Sequence, residues 1–77
     1  MTRYSPEIER HMRNYYETLS EGDRRRYAGI EALKLGRGGT TYIAEVLGCS
    51  LHTVRKGRSE IAQLGQESEK KEGQETD

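Results

Sequence analysis

Every cluster of apolar residues in this chain keeps a spacing of three or four, and each is introduced by a hydroxyl residue or closed by a glycine. Apolar side chains recurring at i, i+3 and i+4 line one face of a helix, whereas half-buried strands need alternation by two. A serine or threonine ahead of such a cluster offers an oxygen to the first free amide protons of a helix. A glycine behind it takes up the left-handed backbone that ends one. The chain is thereby restricted to short helices joined by tight turns. The expected fold is all-α, a small four-helix domain ending in a helix-turn-helix.

Ser5-Pro6 predicts the first helix start, with a hydroxyl cap and proline at the first helical position. Ile8, Met12, Tyr15, Tyr16 and Leu19 form its apolar stripe, and Glu9, Arg13 and Glu17 its wet face. Ser20, with Asp23 three residues on, opens a second helix in which Tyr27, Ile30 and Leu33 are expected to face inward. That helix should end near Leu35, because Gly36-Arg37-Gly38-Gly39 supplies a glycine cap and then a turn. Thr40 or Thr41 is expected to cap a third helix carrying Ile43, Ala44, Val46 and Leu47, closed by Gly48. Ser50 caps a fourth, bearing Leu51, Val54, Ile61 and Leu64 on its inner side.

Composition narrows the function classes. The 77 residues allow one domain, and a domain this small buries only about 60% of its unfolded surface. Apolar residues make up 31% and charged residues 34%, without Phe or Trp, so most helix faces must be wet. No apolar run is long enough to cross a bilayer and no secretory leader is evident, which predicts a soluble, cytoplasmic protein with no membrane partner. The single cysteine, Cys49, excludes an internal disulfide and fits a reducing compartment. The net charge of zero hides an asymmetry: through Arg58 there are 11 Lys and Arg against 7 Asp and Glu, and from Ser59 onward 2 against 6. A basic body suits a polyanionic partner. The expected boundaries are a helical DNA-binding domain over 1–64, with the helix-turn-helix at about 40–64, and a disordered acidic tail over 65–77.

The informative stretch is TTYIAEVLGCSLHTVRKGRSEI. Two helices cross steeply across a short turn only if a small residue stands where they approach, and Ala44 fits that position. Four residues later the turn needs a left-handed backbone, which Gly48 adopts without steric cost. Ile43, Leu47, Cys49 and Val54 can lock the pair, and Ser50 caps the second member. In such a motif the second helix enters the major groove of double-stranded DNA with its N-terminal half against base edges. Its expected contact residues are Ser50, His52, Thr53, Arg55, Lys56 and Ser59, with Arg55 suited to a guanine and Lys56 and Arg58 to phosphates. Gly57 falls inside this helix, where glycine costs about 1 kcal/mol relative to alanine; it either permits a close approach to helix two or to a DNA backbone, or is tolerated without a role.

Other cations extend the candidate surface. The run Arg24-Arg25-Arg26, Arg24 and Arg25 foremost, lies in the first turn of helix two, where the helix dipole disfavours positive charge. Helix stability therefore does not explain them, and a phosphate clamp is the alternative to simple pairing with Glu21 or Asp23. Arg37, in its glycine-rich turn, is a further phosphate candidate; that turn lacks the Lys-Ser/Thr ending and preceding strand of a nucleotide-binding loop. Cys49 and His52 make a lone C-x-x-H pair, and His11 is the only other histidine, too few ligands for zinc. No metal, no cofactor and no catalytic residue are expected, and the chain is not read as an enzyme.

Three segments together resemble the N-terminal region of ISAzo-type bacterial insertion-sequence transposases. They are L-S-E-x-x-R-R-x-Y-A over Leu19 to Ala28, E-A-x-x-L-G-x-G-G over Glu31 to Gly39, and I-A-x-x-x-G-C-S-x-x-T-V-R-x-G over Ile43 to Gly57. The resemblance implies a DNA-binding front end that recognises transposon-end DNA. In that family a catalytic domain with three metal-binding carboxylates follows. The expected function is sequence-specific DNA binding through a helix-turn-helix, as the recognition part of a transposase without its catalytic domain. A stand-alone helix-turn-helix regulator and a helical protein-interaction module are the alternatives.

Overall fold

Four helices build the protein: α1 (Pro6–Thr18), α2 (Glu21–Leu35), α3 (Gly39–Leu47) and α4 (Leu51–Glu75). The computed structural model describes the backbone of residues 3–75 and the side chains of residues 3–64, and no strand occurs among the described residues. The acidic tail expected at 65–77 lies outside the residues whose side chains are described. None of the described helices is long and apolar enough to cross a membrane.

The caps follow the local chemistry. Ser5 accepts a hydrogen bond from the Ile8 amide at 3.2 Å, with Pro6 opening α1. Ser20 accepts from the Asp23 amide at 3.3 Å, and Gly36 closes α2. Each side-chain cap satisfies an amide that has no partner within its helix. The expectation for α3 fails: neither Thr40 nor Thr41 caps it. Its N-cap is Gly38, with φ 84°, and no side chain caps the helix. The reason is a close approach to α2, where a Cβ on Gly39 would stand 2.6 Å from the Ala32 carbonyl oxygen. The helix therefore begins at glycine, which frees the Thr40 hydroxyl for a contact with α4.

Packing reveals a second correction. Ile30 and Leu33 do not face inward; they are 43% and 44% exposed. The buried face of α2 consists of Ala28, Gly29 and Ala32. Large apolar residues were assigned inward by size, but α4 lies too close to α2 for any large side chain between them. A Cβ on Gly57 would fall 1.8 Å from the Arg25 carbonyl oxygen, and one on Gly29 would fall 2.4 Å from the Gly57 carbonyl carbon. No real Cβ tolerates such distances, so the two backbones touch directly. Gly57 thus serves the approach to α2. The α2–α4 pair forms the most extensive interhelical contact, and α3 packs on both helices.

Larger side chains fill the other half of the core. Met12 and Tyr16 of α1 meet Tyr42, Ile43, Ala44 and Leu47 of α3, with Val54 of α4 fully buried. Ile8 and Tyr15, also placed on the inner stripe of α1, are exposed, as are Leu51 and Leu64 on α4. Tyr15 instead meets Tyr27 edge-on, with ring centroids 5.3 Å apart. Tyr42, which sequence reasoning passed over, is the largest fully enclosed side chain at 2% exposure. Its hydroxyl donates to Glu9 and accepts the Tyr4 amide proton at 2.9 Å, so the polar tip of a buried aromatic is satisfied. Burial, and secondarily the Glu9 carboxylate, raises its pKa above the ordinary tyrosine value.

Candidate nucleic-acid interface

The turn between α3 and α4 is three residues long, Gly48-Cys49-Ser50. Gly48 adopts φ 71° and ψ 35°, the left-handed region, and its amide donates to the Ala44 carbonyl at 2.9 Å. The Cys49 amide donates to the same carbonyl at 3.0 Å, so one oxygen closes the helix for both residues. Cys49 is half-buried against the core, where desolvation raises its thiol pKa. This is the behaviour of a small packing residue. Ser50 then starts α4: its Oγ accepts from the Thr53 amide at 3.1 Å and lies 3.0 Å from the Thr53 hydroxyl. Of the three hydroxyls expected at the DNA surface, that of Ser50 caps the helix and that of Thr53 lies against it, while Ser59 is exposed.

One side of α4 is locked inward by Val54 and Gly57. His52, Arg55, Lys56 and Ser59 are all exposed on the other side. Their spacing of three and four puts them on one stripe, and Gln63, also exposed, extends it by another turn. Sequence reasoning missed Gln63, although the same spacing would have reached it. The five exposed members carry two cations, an imidazole, a hydroxyl and an amide, while Glu60, at the edge of the same stripe, is half-buried and paired with Arg25. They supply donors and acceptors suited to base edges and positive charge suited to phosphates.

Three predicted contact residues have intramolecular work instead. Arg58 is half-buried and donates to Thr40 Oγ1 at 2.7 Å, tying α4 to the start of α3. It stands two residues from Lys56 and so points to a different side of the helix. Arg24 donates to the Tyr16 carbonyl at 3.1 Å and the Glu17 carbonyl at 2.8 Å. It also lies over the Tyr16 ring, 5.5 Å from the centroid. Those carbonyls end α1, where the dipole favours a cation. The arginine that suits α2 poorly therefore serves the neighbouring helix. Arg25 grips Glu60 through both carboxylate oxygens, at 3.2 and 3.1 Å, and both side chains are 24% exposed. That hydrogen-bonded pair holds the Glu60 carboxyl below the usual carboxylate range, aided by the nearby charges of Arg26 and Lys56.

Arg37 is exposed in the turn before α3, at the opposite end of that helix from Gly48. The structure therefore gathers His52, Arg55, Lys56 and Ser59 on one surface, and leaves Arg37 at the far end of α3. Among the described residues, no three of His, Cys, Asp and Glu stand close enough together to hold a metal ion. An open cleft between α1 and α3 is lined by Pro6, Glu9, Arg10, Arg13, Glu45 and Val46. Its charges are of both signs, and no acid–base pair or nucleophile is arranged within it. Comparison with family models, with curated proteins and with solved structures finds no match to this chain.

Proposed function

We propose that this protein binds double-stranded DNA sequence-specifically, with α3 and α4 acting as a helix-turn-helix and α4 as the recognition helix. One observation carries the reading: the exposed stripe of His52, Arg55, Lys56 and Ser59 bears no carboxylate, on a helix whose reverse side is fixed by Val54 and Gly57. A recognition helix needs a fixed back and an outward row of donors, because base readout depends on placing side chains to within a bond length. Glu60, the described carboxylate on α4, is neutralised by Arg25 and does not oppose an approaching phosphate.

Selection of bound sites from random duplex DNA tests binding and specificity together. With about four phosphate contacts, log affinity falls against log salt with a slope near −3.6. Arg55→Ala should reduce discrimination between sites by about 1–3 kcal/mol, while Lys56→Ala should weaken all sequences alike. A failure to bind any duplex at low salt sinks the proposal. The narrower reading, the recognition part of an insertion-sequence transposase, rests on the order of the three motif segments. It predicts that the selected site occurs within transposon-end DNA, and a selected site unrelated to such ends counts against it.

A further inference from the structure

The three consecutive arginines of α2 have separate roles. Arg24 caps α1 and Arg25 holds Glu60, whereas Arg26 is exposed, and among the described residues no hydrogen bond or ion pair engages it. Its location is set by the seam between α2 and α4. The Arg25 carbonyl is pressed against Gly57, so the turn of α2 that carries Arg26 lies directly beside the turn of α4 that carries Lys56. Glu60, one helical turn beyond Lys56, is gripped by Arg25 through both oxygens, which ties the same two turns together a second time. Arg26 and Lys56 are chain neighbours of the two residues in that backbone contact, one on each helix, and both are exposed. Their charges add to that of Arg25 in lowering the Glu60 pKa.

With the Glu60 carboxylate taken up by Arg25, Arg26 and Lys56 are free to attract an anion from solution. The pair is also well placed for recognition. The backbone-on-backbone seam fixes the bases of both side chains relative to each other, so less freedom is lost on binding. A guanidinium and an ammonium match the oxygens of a phosphate diester.

We infer that Arg26 of α2 and Lys56 of α4 together hold a phosphate of the DNA strand flanking the groove that α4 enters, with the Arg25–Glu60 pair positioning them. This rests on the DNA-binding reading above, and extends the contact surface from one helix to two. Of the three arginines that the sequence offers as a phosphate clamp, Arg26 is the one left exposed to serve as one, and Lys56 is the partner that the sequence does not pair with it.

The test is a salt titration of duplex binding by the full chain, read by fluorescence anisotropy with a labelled random-sequence duplex. Arg26→Ala should make the log–log slope shallower by about 0.9, one phosphate contact, and weaken all sequences equally. Arg26→Lys should restore most of that slope, because it keeps the charge. Arg24→Ala should lower thermal stability and leave the slope unchanged. Should Arg26→Ala unfold, Arg26→Gln carries the same expectation. If the wild type binds with a steep slope and neither neutral variant alters it, the inference is wrong and the reading of α4 stands. If the wild type shows no salt-dependent binding, both fall together.

Discussion

The two halves of this small core are held by opposite means. Where α1 meets α3, bulk and hydroxyl chemistry join the helices: Met12, Tyr16, Tyr42, Ile43 and Leu47 interlock, and Tyr42 spans from Glu9 to the Tyr4 amide. Where α2 meets α4, side chains are missing: Gly29 and the Arg25 carbonyl face Gly57, and two backbones touch. The first half resists the removal of atoms, and the second resists their addition. The seam also carries function in the proposed reading, because it sets how α4 and its outward stripe are presented.

The largest effect should come from emptying the bulky half. Ile43 is fully buried, and Ile43→Ala should destabilise the domain by about 4 kcal/mol in urea denaturation, through lost transfer energy and a residual cavity. That is a large fraction of what so small a domain possesses. A loss under 1 kcal/mol would show that this half is loosely packed and break the comparison.

Adding one carbon to the seam comes next. Alanine is a better helix former than glycine by about 1 kcal/mol, so Gly57→Ala should stabilise an unobstructed helix. Against the Arg25 carbonyl it should instead cost about 3 kcal/mol, the upper end for overpacking, since backbone cannot swing aside. Stabilisation by this variant would mean that α2 and α4 do not touch in solution.

Tyr42→Phe sharpens the contrast within the bulky half by keeping the ring and deleting the hydroxyl. Glu9 and the Tyr4 amide each lose a partner, and the expected cost is about 1.5 kcal/mol by thermal melting. An unchanged melting temperature would show that bulk alone holds α1 to α3.

The smallest effect is a pH dependence at the edge of the seam. The Glu60 pKa is lowered by Arg25, so its contribution to stability is present above the ordinary carboxylate pKa of about 4.3. It is lost as the pH falls through the lowered value. Wild type should therefore exceed Glu60→Gln in stability at neutral pH, with the gap closing in acid. A gap that persists in strong acid would assign the difference to packing rather than to charge.

Much of the fold was legible because it depends on neighbours in the chain. Ser5, Ser20 and Ser50 cap helices as their local spacing requires, and Gly36 and Gly48 end them. The exposure of His52, Arg55, Lys56 and Ser59 follows from the helical period once Val54 is placed inward. The phase of α2 was not legible. Periodicity assigned Ile30 and Leu33 to the core by hydrophobicity, yet the small residues Ala28, Gly29 and Ala32 are the buried ones, with Gly29 against α4. Roles of individual arginines were equally out of reach. Arg24 looked like a phosphate ligand because it is misplaced on its own helix, and only the adjoining end of α1 accounts for it.

By itself, then, the sequence determined the number of helices, the serine caps of α1, α2 and α4, the glycine turns, and the polar stripe along the fourth, because these arise from interactions within a few residues. Tertiary structure alone decided which face of α2 is buried, that Thr40 binds Arg58 rather than capping α3, and which of three adjacent arginines stays exposed. The distance between two helices is a property of both, and no spacing within one segment encodes how closely another will approach it.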